Sequence, residues 1–303
     1  MDINIGIFLL AVFLLLLLLT VIILIALRRT ISKLEEDLNY IRHTFVIWFI
    51  TPLIRLYFWL LERFGKLRIN INGHIPWEGG KLVFVFNHPF AKLQDTFLLP
   101  IIIFYLKFNH YSNPIQYFPV LVADQSFGNS PLFEIIGKTF FVTVDRSMLK
   151  KTSRRSLTLE ELKRRFQECR SIYAVFFPEG GRTLSAERHR KILRVSQEGS
   201  KLATPLEKGA AKLALDIDAP IIVGWSSGEI SKRLFRARPT VIILGLLELL
   251  FDPRLRLKID IGHPSGPLRP APGESTFDLT QRIENKLLEL GDYQSKRSNR
   301  GGK

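Results

Sequence analysis

From Ile3 to Leu27 the chain carries no charged residue, and the centre of this run reads IGIFLLAVFLLLLLLTVIILIAL. A helix rises about 1.5 Å per residue and a hydrocarbon slab is about 30 Å thick, so the run is long enough to cross a bilayer. A cleaved leader is the competing reading. No basic stretch precedes the run, however, and Arg28-Arg29 follow it in place of a small-residue cleavage site. Only Asp2 lies before the span, while Arg28, Arg29 and Lys33 lie just after it. This asymmetry predicts a single-pass anchor over 1–29, with the rest of the chain on the cytoplasmic side.

Residues 40–65 form a second apolar stretch of a different kind. Arg42, Arg55, Glu62 and Arg63 interrupt it, and Trp48, Tyr57 and Trp59 decorate it. Charges inside an aromatic-rich helix predict a segment lying in the membrane interface over 30–66, kinked at Pro52. The alternative is a core helix of the following domain.

The net charge of +15, from 43 Lys and Arg against 28 Asp and Glu, favours a polyanionic partner: nucleic acid, an anionic bilayer or a phosphorylated substrate. No interleaved aromatic and basic motif points to nucleic acid, and the anchor points to lipid. Basic runs at Arg154-Arg155, Lys163 to Arg165, Arg188 to Arg194 and Lys232 to Arg238 suit solvated faces near anionic lipid. The single cysteine, Cys169, excludes an intrachain disulfide and has no activating histidine close in sequence.

From residue 67 the chain alternates. Strand-like runs occur at 82–87, 115–123, 139–144, 171–178, 219–225, 240–245 and 255–262, with helix-like stretches such as DTFLLPIIIFYLKF, SLTLEELKRRFQECR and EKGAAKLALDI between them. Near-continuous Val, Ile and Phe in the strands predicts an α/β domain over 67–290, with a mixed, largely parallel sheet covered by helices on both faces. A final helix near Thr276 to Leu290 is followed by a polar, basic tail at 291–303, expected to be disordered.

Four short segments can carry chemistry. After the first buried strand come Asn87-His88-Pro89, then Asp95-Thr96 at the start of a helix. A histidine at a strand's carboxyl end, with a carboxylate nearby to orient its ring, is a base-and-orienter arrangement. Asp95 could equally serve its own helix N-terminus. Phe177-Pro178-Glu179-Gly180-Gly181-Arg182-Thr183 follows another strand. Its glycines let backbone amides approach an anion, and Arg182 offers a fork of donors suited to phosphate. Gly137 to Arg146 is a strand ending in a basic residue, and Lys208-Gly209 head a helix.

In this order the four segments resemble the glycerophospholipid acyltransferase family, best known for acylating 1-acylglycerol-3-phosphate. The likeness covers residues 80 to 225 and extends loosely to 262. The family's first block has four residues between His and Asp, whereas here six separate His88 from Asp95. Its Phe-Pro-Glu-Gly-Thr-Arg-Ser block is met by Phe177, Pro178, Glu179, Gly180 and Arg182, with Gly181 and Thr183 at the two differing positions. The resemblance implies that His88 deprotonates an acceptor hydroxyl, that Asp95 orients His88, and that Arg146, Glu179, Gly180, Gly181, Arg182 and Lys208 hold the acceptor. It implies a lysophospholipid acceptor drawn from membrane lipid and an acyl thioester donor, coenzyme A or acyl carrier protein. No metal or other cofactor is expected, since a thioester is already activated.

Two rival readings remain. Gly224-Trp225-Ser226-Ser227-Gly228 fits a serine-hydrolase elbow, with Asp252 or Asp260 and then His263 downstream. No His-Gly-Gly-Gly-like oxyanion segment accompanies it. The second rival is a membrane-attached basic module that binds anionic lipid without catalysis.

Overall fold

The computed structural model describes residues 52, 55–88, 99, 102–103, 105–106, 118–124, 141–144, 153–168, 172–179, 191–196, 199–229 and 239–300. The anchor predicted over 1–29 and most of the 30–66 segment lie outside these residues. Among the described residues no helix is long and apolar enough to cross a membrane.

Alternation within the strands builds the core. Strand β2 (Lys81–Phe86) sends Leu82, Phe84 and Phe86 to one face of a sheet, and Val83 and Val85 to the other. Strand β5 (Ile172–Phe176) sends Tyr173 and Val175 to the first face, and Ile172, Ala174 and Phe176 to the second. Both faces therefore need cover, which helices supply. With β1 (Leu67–Ile71), β3 (Phe118–Asp124), β4 (Phe141–Val144), β8 (Ile221–Glu229) and β9 (Arg256–Ile261), these strands form a seven-stranded sheet in the order β1-β9-β8-β2-β5-β3-β4. β8, β2, β5, β3 and β4 run parallel, while β9 and β1 run the opposite way. The predicted mixed, largely parallel sheet is the observed one.

On the first face lie α1 (residues 55–63), a helical segment carrying Leu99, Ile102 and Ile103, and α4 (Pro239–Phe251). On the second lie α2 (Ser153–Glu168), α3 (Gly209–Ile217) and α5 (Thr276–Arg300). Ser275 caps α5: its hydroxyl accepts the Asp278 N–H at 3.1 Å and donates to that carboxylate at 2.6 Å. Each fully buried Phe, such as Phe58, Phe84 or Phe86, contributes about 1.5–3 kcal/mol.

Three expectations are corrected. Residues 240–245 form part of α4 rather than a strand: a short apolar run suits either element, and here Leu249 and Leu250 of the same helix are buried on the first face of the sheet. Residues 55–66 belong to the α/β domain and not to a separate interfacial segment. Tyr57, Phe58, Leu60 and Leu61 of α1 are buried in its core, and Tyr57 donates to the Leu246 carbonyl at 2.9 Å. The final helix does not stop at Leu290 but runs on to Arg300 through most of the expected disordered tail. Gly291 makes this possible, since a Cβ there would lie 2.7 Å from Ser200 Oγ and 2.9 Å from Trp225, and Asp292 accepts from Ser196. Three strands were not among those predicted: β1, and the antiparallel pair β6 (Ile192–Val195) and β7 (Lys201–Thr204), whose first strand is exposed throughout.

Candidate active site

Parallel pairing of β2 with β5 brings two of the predicted residues together. Val85 lies opposite Phe176, so His88 and Glu179 leave adjacent strands at the same carboxyl edge. Ligands of open α/β sheets collect at that edge.

Asn87 sets the path of the chain into His88. Its carboxamide donates to the Ser226 carbonyl at 2.9 Å and accepts the Ser226 N–H at 2.7 Å. The side chain thus acts as one more peptide group, extending the β2–β8 ladder past the last backbone pair. Only a carboxamide offers donor and acceptor in this geometry.

His88 is 8% exposed and packs its ring against Phe177, with centroids 5.1 Å apart. Its backbone N–H donates to Glu179 Oε1 at 2.5 Å. The other carboxylate oxygen of Glu179 accepts the Ala203 N–H at 2.8 Å. Glu179 is completely buried. Sequence reasoning put Glu179 against the acceptor; in the fold its carboxylate instead ties together the ends of β2 and β5 and strand β7. Charge-assisted bonds of this kind are about twice as strong as neutral ones, so the backbone of His88 is held firmly.

The remaining predicted residues are distributed as follows. Asp95, Arg146, Gly180, Gly181 and Arg182 lie outside the described residues. In sequence, Arg146 comes two residues after β4, and Gly180 to Arg182 come directly after Glu179. β4 ends at the same edge as β2 and β5. Lys208 is exposed at the N-terminus of α3, with its ammonium 5.6 Å from the Phe277 ring centroid. The neighbouring Glu207 N–H donates to the Pro178 carbonyl, which keeps this helix start beside the β5 edge.

The hydrolase reading fails on geometry. Ser226 sits inside β8 rather than at a strand-to-helix turn, is 1% exposed, and directs its hydroxyl to Asn87 Oδ1 at 3.3 Å. Asp260 pairs opposite Trp225, one residue away in register, so it faces the other side of the sheet. The His263 ring lies among Ser265, Lys286 and Glu289. Ser226→Ala is accordingly expected to leave acyl transfer close to wild type and to lower stability by about 1 kcal/mol, the net worth of one hydrogen bond. Steady-state rates and a thermal melt check both. A burst of product abolished by this substitution would restore the nucleophile.

The model of the acyltransferase family matches residues 68–226, just over half of the chain. This chain belongs to the acyltransferase family. Its chemistry is therefore acyl transfer. The matched span contains every predicted site residue, from His88 to Lys208. Among solved structures the chain is similar to the 1-acyl-sn-glycerophosphate acyltransferase PlsC of Thermotoga maritima, at 13% sequence identity and a TM-score of 0.46, over 95% of this chain and 97% of that one. None of the curated protein sequences matches this chain.

Proposed function

We propose that this acyltransferase moves a fatty-acyl group from a thioester donor, acyl-CoA or acyl carrier protein, to the free hydroxyl of a lysophospholipid. The acceptor is 1-acylglycerol-3-phosphate and the product phosphatidic acid. The observation that carries this reading is His88 at the carboxyl edge of β2, with its backbone gripped by buried Glu179. A histidine fixed there can take the proton of an acceptor hydroxyl as that oxygen attacks the thioester carbonyl. The new C–O ester bond forms, the C–S bond breaks, and the thiolate leaves with the proton from His88. General-base help of this kind is worth about 10²- to 10⁴-fold. Asp95 orients the His88 ring, and Arg146, Gly180, Gly181, Arg182 and Lys208 hold the phosphate and glycerol. The transfer needs no metal and no cofactor beyond the thioester.

A membrane setting completes the proposal. The uncharged run over 3–27, within the segment 1–29, anchors the chain, with the catalytic domain on the cytoplasmic side. The +15 charge supports an anionic surface or acceptor.

An acyl-transfer assay on purified membranes, with labelled donor and a panel of lysolipids, tests the assignment. Phosphate-bearing acceptors should be acylated ahead of neutral ones; hydrolysis of the donor without ester formation would overturn it. Arg182→Ala and Arg146→Ala should each raise KM for the phosphate-bearing acceptor about ten- to a hundredfold, from loss of about 1.5–3 kcal/mol in charge-assisted bonding. KM for the donor should move much less. Equal effects on donor and acceptor would remove both residues from the acceptor site.

A further inference from the structure

Strand β6 gains little from burial. Its residues are exposed throughout, with Ile192, Leu193 and Val195 at 74%, 40% and 55%. A two-stranded ribbon is also marginal by itself. Polar ties to α5 hold the strand instead. Arg194 Nη1 donates to Glu284 Oε1 at 2.8 Å and to Asn285 Oδ1 at 3.1 Å. Nearer the tip of the ribbon, the Ser196 hydroxyl donates to Asp292 and accepts the Ser200 N–H at 3.0 Å. Exposed ion pairs contribute little. Glu284, however, is 5% exposed, and its second oxygen is buried with no hydrogen-bond partner among the described residues. Arg194 therefore offsets a buried carboxylate, and its loss would leave that charge uncompensated.

The ribbon reaches the active edge through β7. Arg194 lies opposite Leu202, and Leu193 opposite Ala203. Successive residues of a strand direct their backbone groups to opposite edges. β6 thus takes one edge of β7, and the Ala203 N–H turns to the other. There it donates to Glu179 Oε2 at 2.8 Å, while Glu179 Oε1 accepts the His88 N–H. We infer that Glu284 and Arg194 form a latch that positions His88. Their ion pair fixes β6, and through β7 and Glu179 it sets the backbone from which the His88 ring extends. The inference rests on the reading of His88 as the base. Glu284 lies beyond residues 68–226, the span matched by the family model, so this control comes from the C-terminal helix.

The test uses the full chain, with hydrogen exchange read at the Ala203 amide and steady-state kinetics measured on the same preparation. Glu284→Gln keeps the shape of the side chain and removes its charge. It should speed exchange at Ala203 and lower kcat, each by about two- to thirtyfold, the usual size of coupling between packed elements. KM for donor and acceptor should not move. Arg194→Gln should do the same, and Arg194→Lys, which keeps a cation, should recover part of the loss. In a Glu179→Gln background, Glu284→Gln should lower kcat no further, because the link it acts through is already cut. Arg282→Ala is the stability control. It breaks another ion pair of α5, Arg282 to Glu274 at 2.7 Å, and should lower Tm while leaving kcat alone. Unchanged kcat in Glu284→Gln or Arg194→Gln overturns the inference. So does an equal loss with and without the Glu179 carboxylate, which would make the pair a structural tie only. Turnover that survives His88→Ala would remove the base, and the inference with it. That failure is separable, since exchange at Ala203 reads the latch whatever His88 does.

Discussion

His88→Ala is expected to abolish measurable acyl transfer while the domain stays folded and the acceptor still binds. The ring is the only histidine side chain at the carboxyl edge among the described residues, and it packs on Phe177 in the same rim. Its removal leaves the attacking hydroxyl without a proton acceptor, a loss of about 10²- to 10⁴-fold from base catalysis alone. The orienting role proposed for Asp95 makes a linked claim. Asp95→Asn should cost up to about 10⁴-fold in kcat, the scale of loss when an orienting carboxylate is replaced and the wrong tautomer results. The double substitution should be little worse than His88→Ala, because residues that act as a unit are not additive. Turnover within about tenfold of wild type in His88→Ala, measured on membranes with equal amounts of folded protein, would remove His88 from the chemistry.

Glu179→Gln carries the second large effect, for a different reason. The carboxylate has two acceptor oxygens and each takes one buried backbone N–H, from His88 and from Ala203. A carboxamide has one oxygen and one NH2 group, so one of those N–H donors would face another donor. A buried unsatisfied group costs about 1–3 kcal/mol. Here the cost falls on the backbone of His88, the proposed base. A shift of about 1 Å at a reacting group can cost about 10²-fold in rate. The expected result is kcat lower by about that factor with KM for donor and acceptor nearly unchanged, plus a lower Tm. Glu179→Asp, which keeps both oxygens, should recover part of the rate. Loss of activity in strict proportion to the unfolded fraction would reduce Glu179 to a structural role. A large rise in acceptor KM would return it to substrate binding.

The sequence resolved what depends on local pattern. Continuous apolar runs at 82–86 and 172–176 identified strands covered on both faces, and the amphipathic spacing of SLTLEELKRRFQECR identified α2. Asn87-His88 and Phe177 to Arg182 marked a candidate site because glycines, a basic fork and a histidine after buried strands are unusual in combination. The run 240–245 was misread because a short stretch of Val, Ile and Leu satisfies a strand or a buried helix equally well. Residues 291–300 were misread because propensity is local, whereas the docking of Gly291 against Ser200 and Trp225 is not.

By itself, then, the sequence determined the class of the fold, most of the strands of its main sheet, and the short segments that are candidates to carry the chemistry. Each of these is encoded within a few residues of itself. Tertiary structure alone decided what those segments do to one another. Glu179 is 91 residues from His88, and Ser226 is 139 residues from Asn87. Only the pairing of β2 with β5 and β8 made the first a clamp on the His88 backbone and the second a buried ladder partner.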